Sequence, residues 1–146
     1  MTDVSASLEP VDRLTVDVLT DNVSDNYVSK TLFAVSEFTN VVRAGAQMIS
    51  GEVLLCGNLG YGLRLVSEVG GVRHVLLFDT GPEGSIFLRN CANLGIPMAE
   101  IDCIAVSHGH WDHMAALPAA LGAIVRPEAA RRFMSIRTCS TSAASG

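Results

Sequence analysis

The segment "YGLRLVSEVGGVRHVLLFDTG" constrains the fold of this 146-residue chain more than any other. Residues 61–69 and 72–79 are two β-rich runs joined at Gly70-Gly71, the dipeptide chemistry of a tight hairpin. The second run contains Val75-Leu76-Leu77-Phe78, continuously apolar, as expected of a strand covered on both faces. A sheet is therefore the organising element, and the flanking sequence must supply what covers it.

Downstream of the hairpin the elements alternate in type. In "DTGPEGSIFLRNCANLGIP", Ser85 can cap a helix, Phe87, Cys91 and Leu94 recur at helical spacing, and Gly95 and Pro97 stop it. "IDCIAVS" is a short apolar strand. "LGAIVRPEAARRFM" repeats the cycle, predicting a strand around 123–125 and a helix that Pro127 can start. The order β-β-α-β-α-β-α implies an α/β layered structure, with ligands at the carboxyl ends of the strands. Upstream, "RLTVDVLTDN" alternates Leu14, Val16 and Val18 with Thr15, Asp17 and Leu19, a strand pattern ending at Asp21-Asn22. Residues 23–51 hold neither period, and read as a long excursion with one or two helical turns, a length often used for functional lids. Residues 1–11 read as a loose segment, 12–137 as the domain and 138–146 as a polar tail.

Composition excludes several functions. Net charge is −5, charged residues are 17%, and no basic cluster exists beyond Arg131-Arg132, so neither a nucleic-acid track nor an anionic-membrane patch is expected. The N-terminus is acidic where a secretory signal is basic, and every long apolar stretch is broken by Arg, Glu or Gly. Cys56, Cys91, Cys103 and Cys139 form no C-x-x-C pair and read as reduced residues of a cytoplasmic protein.

The chemistry concentrates in "AVSHGHWDHMAAL", where His108, His110, Asp112 and His113 fall within six consecutive positions. Imidazole nitrogen and carboxylate oxygen are ligands for Zn²⁺ and related ions, at about 2.0–2.2 Å. Residues i and i+2 of an extended or turning segment project the same way, so His108 and His110 can converge on one ion. Asp112 and His113 enter a helix and can serve a second beside it. Two ions about 3.5–4 Å apart can share a hydroxide and lower its pKa. His–carboxylate sites also accept iron and manganese. A fourth histidine, His74, starts the "VLLFDTG" strand, at the end opposite to where a ligand should sit, and reads as a strand-edge residue.

"SHGHWDH" resembles the metal-binding signature of the metallo-β-lactamase superfamily. "VLLFDTGPEG", "NLGIPMAEIDCIAVS" and "RPEAARRF" are similar to one branch of it, which includes the dihydropterin ribofuranosylaminobenzene-phosphate synthases. The resemblance runs from about residue 14 to 137. It implies two zinc ions, the first on His108 and His110, the second on Asp112 and His113, with Asp112 also orienting or deprotonating the attacking water. It further implies that Asp79 hydrogen-bonds the motif loop, and that Trp111 either walls the pocket mouth or packs beneath the loop. The activity implied is that of a metal-dependent hydrolase or synthase-type transferase acting on a small molecule.

That family folds as an αββα sandwich of two similar halves, the second supplying more histidines and a bridging aspartate. After His113 the only acidic residue here is Glu128, at an expected helix start. The expectation is therefore the N-terminal half of such a fold, as a truncated gene product or natural fragment would give. The alternative function is a non-catalytic metal-binding fragment, with self-association through an uncovered sheet face.

Overall fold

A computed structural model describes residues 10–23, 32–124 and 132–135. Its centre is a five-stranded sheet in the order β1 (Arg13–Thr20), β2 (Gly62–Val69), β3 (Val72–Phe78), β4 (Cys103–Val106), β5 (Arg132–Ser135). The first three strands are antiparallel neighbours, and β4 and β5 continue in parallel. The helices are α1 (Glu37–Arg43), α2 (Gly84–Asn93), α3 (Trp111–Met114) and α4 (Leu117–Ala123), with a 3-10 turn at Met98–Glu100. Gly70 and Gly71 have φ of 56° and 80°, which a two-residue hairpin turn of the predicted kind requires. The parallel step from β3 to β4 needs a crossover, which the ten-residue α2 supplies.

One face of the sheet is packed. Leu19, Val66, Val75, Leu77 and Ile104 meet Phe87, Cys91, Ala116, Ala120 and Ile124 in a single core. Phe87 and Leu77 are completely buried, and each such side chain contributes about 1.5–3 kcal/mol. Gly84 permits the close approach of α2 to α4, since a Cβ there would lie 2.6 Å from that of Ala119. The β1–β2 register shifts between Val18 and Thr20, and at this irregularity Leu19 and Thr20 are both buried.

α2 also organises the chain before β2. Asn90 donates to the carbonyls of Leu19 and Cys56, both at 2.9 Å, and accepts from Cys56 N–H at 2.9 Å. Asn93 donates to the carbonyls of Glu52 and Leu54, and Arg89 to those of Gly51 and Leu54. A segment without repetitive structure is thereby satisfied through side chains of one helix. Within the 23–51 excursion, α1 is capped by Ser36, which accepts from Thr39 N–H, with Glu37 in its first turn and Arg43 in its last.

Three sequence expectations need correction. Ser85 does not cap α2. The N-cap is Glu83, and the Ser85 hydroxyl meets the Glu83 carboxylate from inside the first turn. The strand expected around 123–125 is not formed at its start, because α4 runs through Ala123 and Ile124 N–H still bonds the Ala120 carbonyl. The apolar run there carries the helical spacing Ala116, Ala120, Ile124. Arg132–Ser135, expected to be helical, instead pairs with β4. The alternation expected of β1 is present, with Leu14, Val16 and Val18 46–56% exposed and Asp17, on the other side, paired with Arg64 at 3.3 Å. Pro127, Glu128, Cys139 and the 138–146 tail lie outside the described residues.

Candidate metal centre

β3 and β4 end side by side, and backbone bonds lock the two loops that leave them. Asp79 N–H donates to the Ala105 carbonyl at 2.9 Å, Thr80 N–H to that of His113 at 2.8 Å, and Ala116 N–H to that of Gly81 at 3.0 Å. Asp79 itself is at φ 56°, a left-handed conformation costly for most non-glycine residues, and is 1% exposed. The turn aims its carboxylate into the motif loop. Oδ1 accepts from Ser107 N–H at 2.8 Å, and Oδ2 accepts from the Ser107 hydroxyl at 2.7 Å and from His113 Nδ1 at 2.9 Å.

These bonds assign the histidine tautomers. A carboxylate can only accept, so the Ser107 hydroxyl donates its proton to Asp79. At the 2.9 Å contact between Ser107 Oγ and His108 Nδ1, the hydroxyl oxygen must then accept, and His108 Nδ1 carries the proton. His113 Nδ1 likewise donates to Asp79. In the neutral rings, Nε2 of His108 and of His113 then carries the lone pair, the nitrogen that a metal ligand of this tautomer would use. Asp79 thus stands behind both donor pairs, directly for His113 and through Ser107 for His108. Ser107 is a functional residue that the sequence barely signals; a hydroxyl immediately before the first motif histidine is its only mark.

The donors meet in pairs. His108 Nε2 lies 2.9 Å from His110 Nδ1, and Asp112 Oδ2 lies 3.7 Å from His113 Nε2. Two donors each about 2.1 Å from a common ion stand about 3.0 Å apart at a square angle and about 3.4 Å at a tetrahedral one, so the first pair is a few tenths of an ångström closer than a tetrahedral zinc would hold it. The second pair spans an ion only at a wider angle. The His108 ring sits 4.5 Å from that of His110 and 4.3 Å from that of His113, so all three imidazoles form one cluster. Among the described residues no group of three or more His, Cys, Asp or Glu is arranged to hold a single ion. The donor chemistry, imidazole nitrogen with carboxylate oxygen, is of the kind that divalent ions such as zinc accept, and among the described residues no third protein ligand closes either pair.

The other named residues take clear places. His110 is the N-cap residue of α3, and Asp112 and His113 lie in its single turn. Trp111 is 60% exposed, which rules out packing beneath the loop. His74 is exposed on β3 opposite Ser67, in the half of that strand remote from Asp79. Cys56, Cys91 and Cys103 form no disulfide, and burial pushes the Cys91 thiol up to about 12. Among the described residues no helix is long and apolar enough to cross a membrane.

No curated protein sequence matches the chain. A solved structure described as a new diphosphatase from the PhnP family is 24% identical over 73% of this chain, with a TM-score of 0.38. The match covers 34% of that structure's chain, so the present chain spans about a third of its length. The mixed sheet with its helices is consistent with a partial metallo-β-lactamase-like fold. Residues 62–129, from β2 through the motif and α4, match the family model of the metallo-beta-lactamase superfamily, and the donor cluster lies inside that match.

Proposed function

We propose that the chain carries the first ligand set of a metal-dependent hydrolase that acts on a small molecule in the cytoplasm. The observation that carries this reading is the pairing of His108 Nε2 with His110 Nδ1 at 2.9 Å, beside the Asp79–Ser107 relay that orients His108. His108 and His110 would hold one zinc ion, and Asp112 and His113 a second. Bound zinc supplies Lewis acidity and a water of lowered pKa. Asp112 would also orient the attacking water or take its proton. His108 and His113 keep their Nδ1 protons on Ser107 and Asp79. Trp111, exposed beside the donors, stands at the wall of the substrate site.

A second reading, a metal-binding fragment without turnover, is favoured by a specific observation: no third ligand closes either pair among the described residues. One experiment addresses both. Zinc binding is measured by competition with a chromophoric chelator, and hydrolysis of phosphodiester, lactam and thioester substrates is followed alongside. The chain is expected to bind zinc, and the His108→Ala/His110→Ala double variant to lose the tighter component. Equal binding by the two proteins overturns the ligand assignment. Chelator-sensitive turnover that disappears in the double variant excludes the fragment reading.

A further inference from the structure

We infer that Gly60 is a positioning residue of the metal centre, its missing side chain setting where the Asp112–His113 pair sits. The inference rests on the ligand assignment above. Gly60 has φ of 106°, and a Cβ placed on it would lie 1.9 Å from the Asp112 carbonyl oxygen, 2.9 Å from its carbon and 3.2 Å from the Asp112 Cβ. The collision is with backbone, so no rotamer change relieves it. The loop before β2 therefore lies directly against the turn that carries two of the four candidate ligands.

Neither side has room to retreat. The His113 carbonyl is held from behind by Thr80, through its N–H at 2.8 Å and its hydroxyl at 3.3 Å, and Ala116 N–H is held by Gly81. On the loop side, Asn58 N–H bonds the Asp21 carbonyl at 2.9 Å, and Asn90 holds Cys56. Gly62 is closely packed as well, with Thr20 and Thr80 both 3.4 Å from where its Cβ would be. The motif turn is thus clamped between two loops, and Gly60 fixes the gap. A side chain at this position tilts α3 and alters the 3.7 Å separation between Asp112 Oδ2 and His113 Nε2.

The molecule contains its own control. Gly45 has the same φ of 106°, and a Cβ there meets nothing within 4 Å. Gly45→Ala and Gly60→Ala therefore place a side chain at the same positive φ, and only the second collides. Histidine side-chain ¹H–¹⁵N spectra of the zinc-free chain report the His113 Nδ1–H to Asp79 bond directly. Gly60→Ala is expected to shift or lose that signal, and to weaken zinc or cobalt binding about tenfold or more, as disturbance of ligand-orienting contacts does. Gly45→Ala is expected to leave both at parental values. An unchanged His113 signal with unchanged affinity in Gly60→Ala overturns the inference, and so does an equal effect from Gly45→Ala. Should Gly60→Ala fail to fold, hydrogen exchange of the parent decides. Zinc should protect amides 58–62 together with 111–115 and leave 44–46 unaltered, and the absence of protection at 58–62 overturns the inference. If the parent binds zinc no better than His108→Ala/His110→Ala, the ligand assignment fails while the His113 spectrum still judges the positioning.

Discussion

Both faces of the sheet carry apolar residues, and their circumstances are opposite. On one, Val66, Val75, Leu77 and Ile104 are at most 4% exposed beneath the helices. On the other, Leu14, Val16, Val18, Val69 and Val72 are 42–56% exposed. β1 makes the contrast clearest, since its apolar Leu14, Val16 and Val18 face outward while Thr15 and Asp17 share the side of the buried Leu19. Apolar content therefore does not locate the core of this molecule. The helices do, and α2 and α4 cover one side only among the described residues.

The greatest effect should come from deleting side-chain volume on each face in turn. Leu77→Ala, at a site with 0% exposure, should lower stability by about 2–5 kcal/mol in urea denaturation. Leu14→Ala, at 56% exposure, should cost within about 0.5 kcal/mol. Comparable losses would show that the outer face is covered in solution.

Thiol chemistry separates the two faces in a second way. Cys91 lies in the helix-covered core and Cys103 on the outer face, in register with Leu76. Native protein should react with a thiol reagent at Cys103 and Cys56, and at Cys91 only on unfolding. Desolvation keeps the Cys91 thiol neutral, raising it from 9.0 to about 12 despite the opposing charge of Arg64. In the unfolded chain the proton leaves near pH 9, whereas the folded chain retains it to about 12. The stability associated with the neutral buried thiol is therefore complete below pH 9 and lost as pH rises between those values. The slope is at most about 1.4 kcal/mol per pH unit. A pH titration of the unfolding midpoint, with Cys91→Ala as reference, measures it.

The least effect on stability is expected from Leu14→Thr, Val16→Thr and Val18→Thr combined. These changes keep residues suited to strands and remove apolar surface that is already exposed. We propose that this face drives self-association, so sedimentation velocity should show the triple variant as a smaller species than the parent. Identical sedimentation removes this face as the cause.

Much of the scaffold was legible in the chain. The hairpin at Gly70-Gly71, the β4 strand and α2 followed from local period and turn chemistry, and the motif residues from their spacing. Which side of β1 is buried was not legible, because alternation tells which residues share a face and not which face receives helices. β5 was hidden for a related reason, since Arg132–Ser135 becomes a strand only by pairing with β4. Ser107 and Gly60 act through contacts across the sequence, Ser107 with Asp79 and Gly60 with Asp112, and no local pattern announces either.

The Gly70-Gly71 turn also sets a timetable. β2 and β3 pair from Leu63–Phe78 to Val69–Val72 with almost no intervening chain, whereas β1 reaches β2 only after residues 21–61 have been looped out. Closure entropy rises by roughly 0.6 kcal/mol for each doubling of a flexible loop, and hairpins form in about 1–10 μs. The β2–β3 ribbon is therefore expected to pair first, which φ-value analysis at Val66 and Val75 would check. Asp79 emerges from its end. The carboxylate that contacts His113, and His108 through Ser107, is thus mounted at the end of the strand pair with the shortest loop to close, and the bonds from Asp79 to Ala105 and from Thr80 to His113 set its turn when β4 docks.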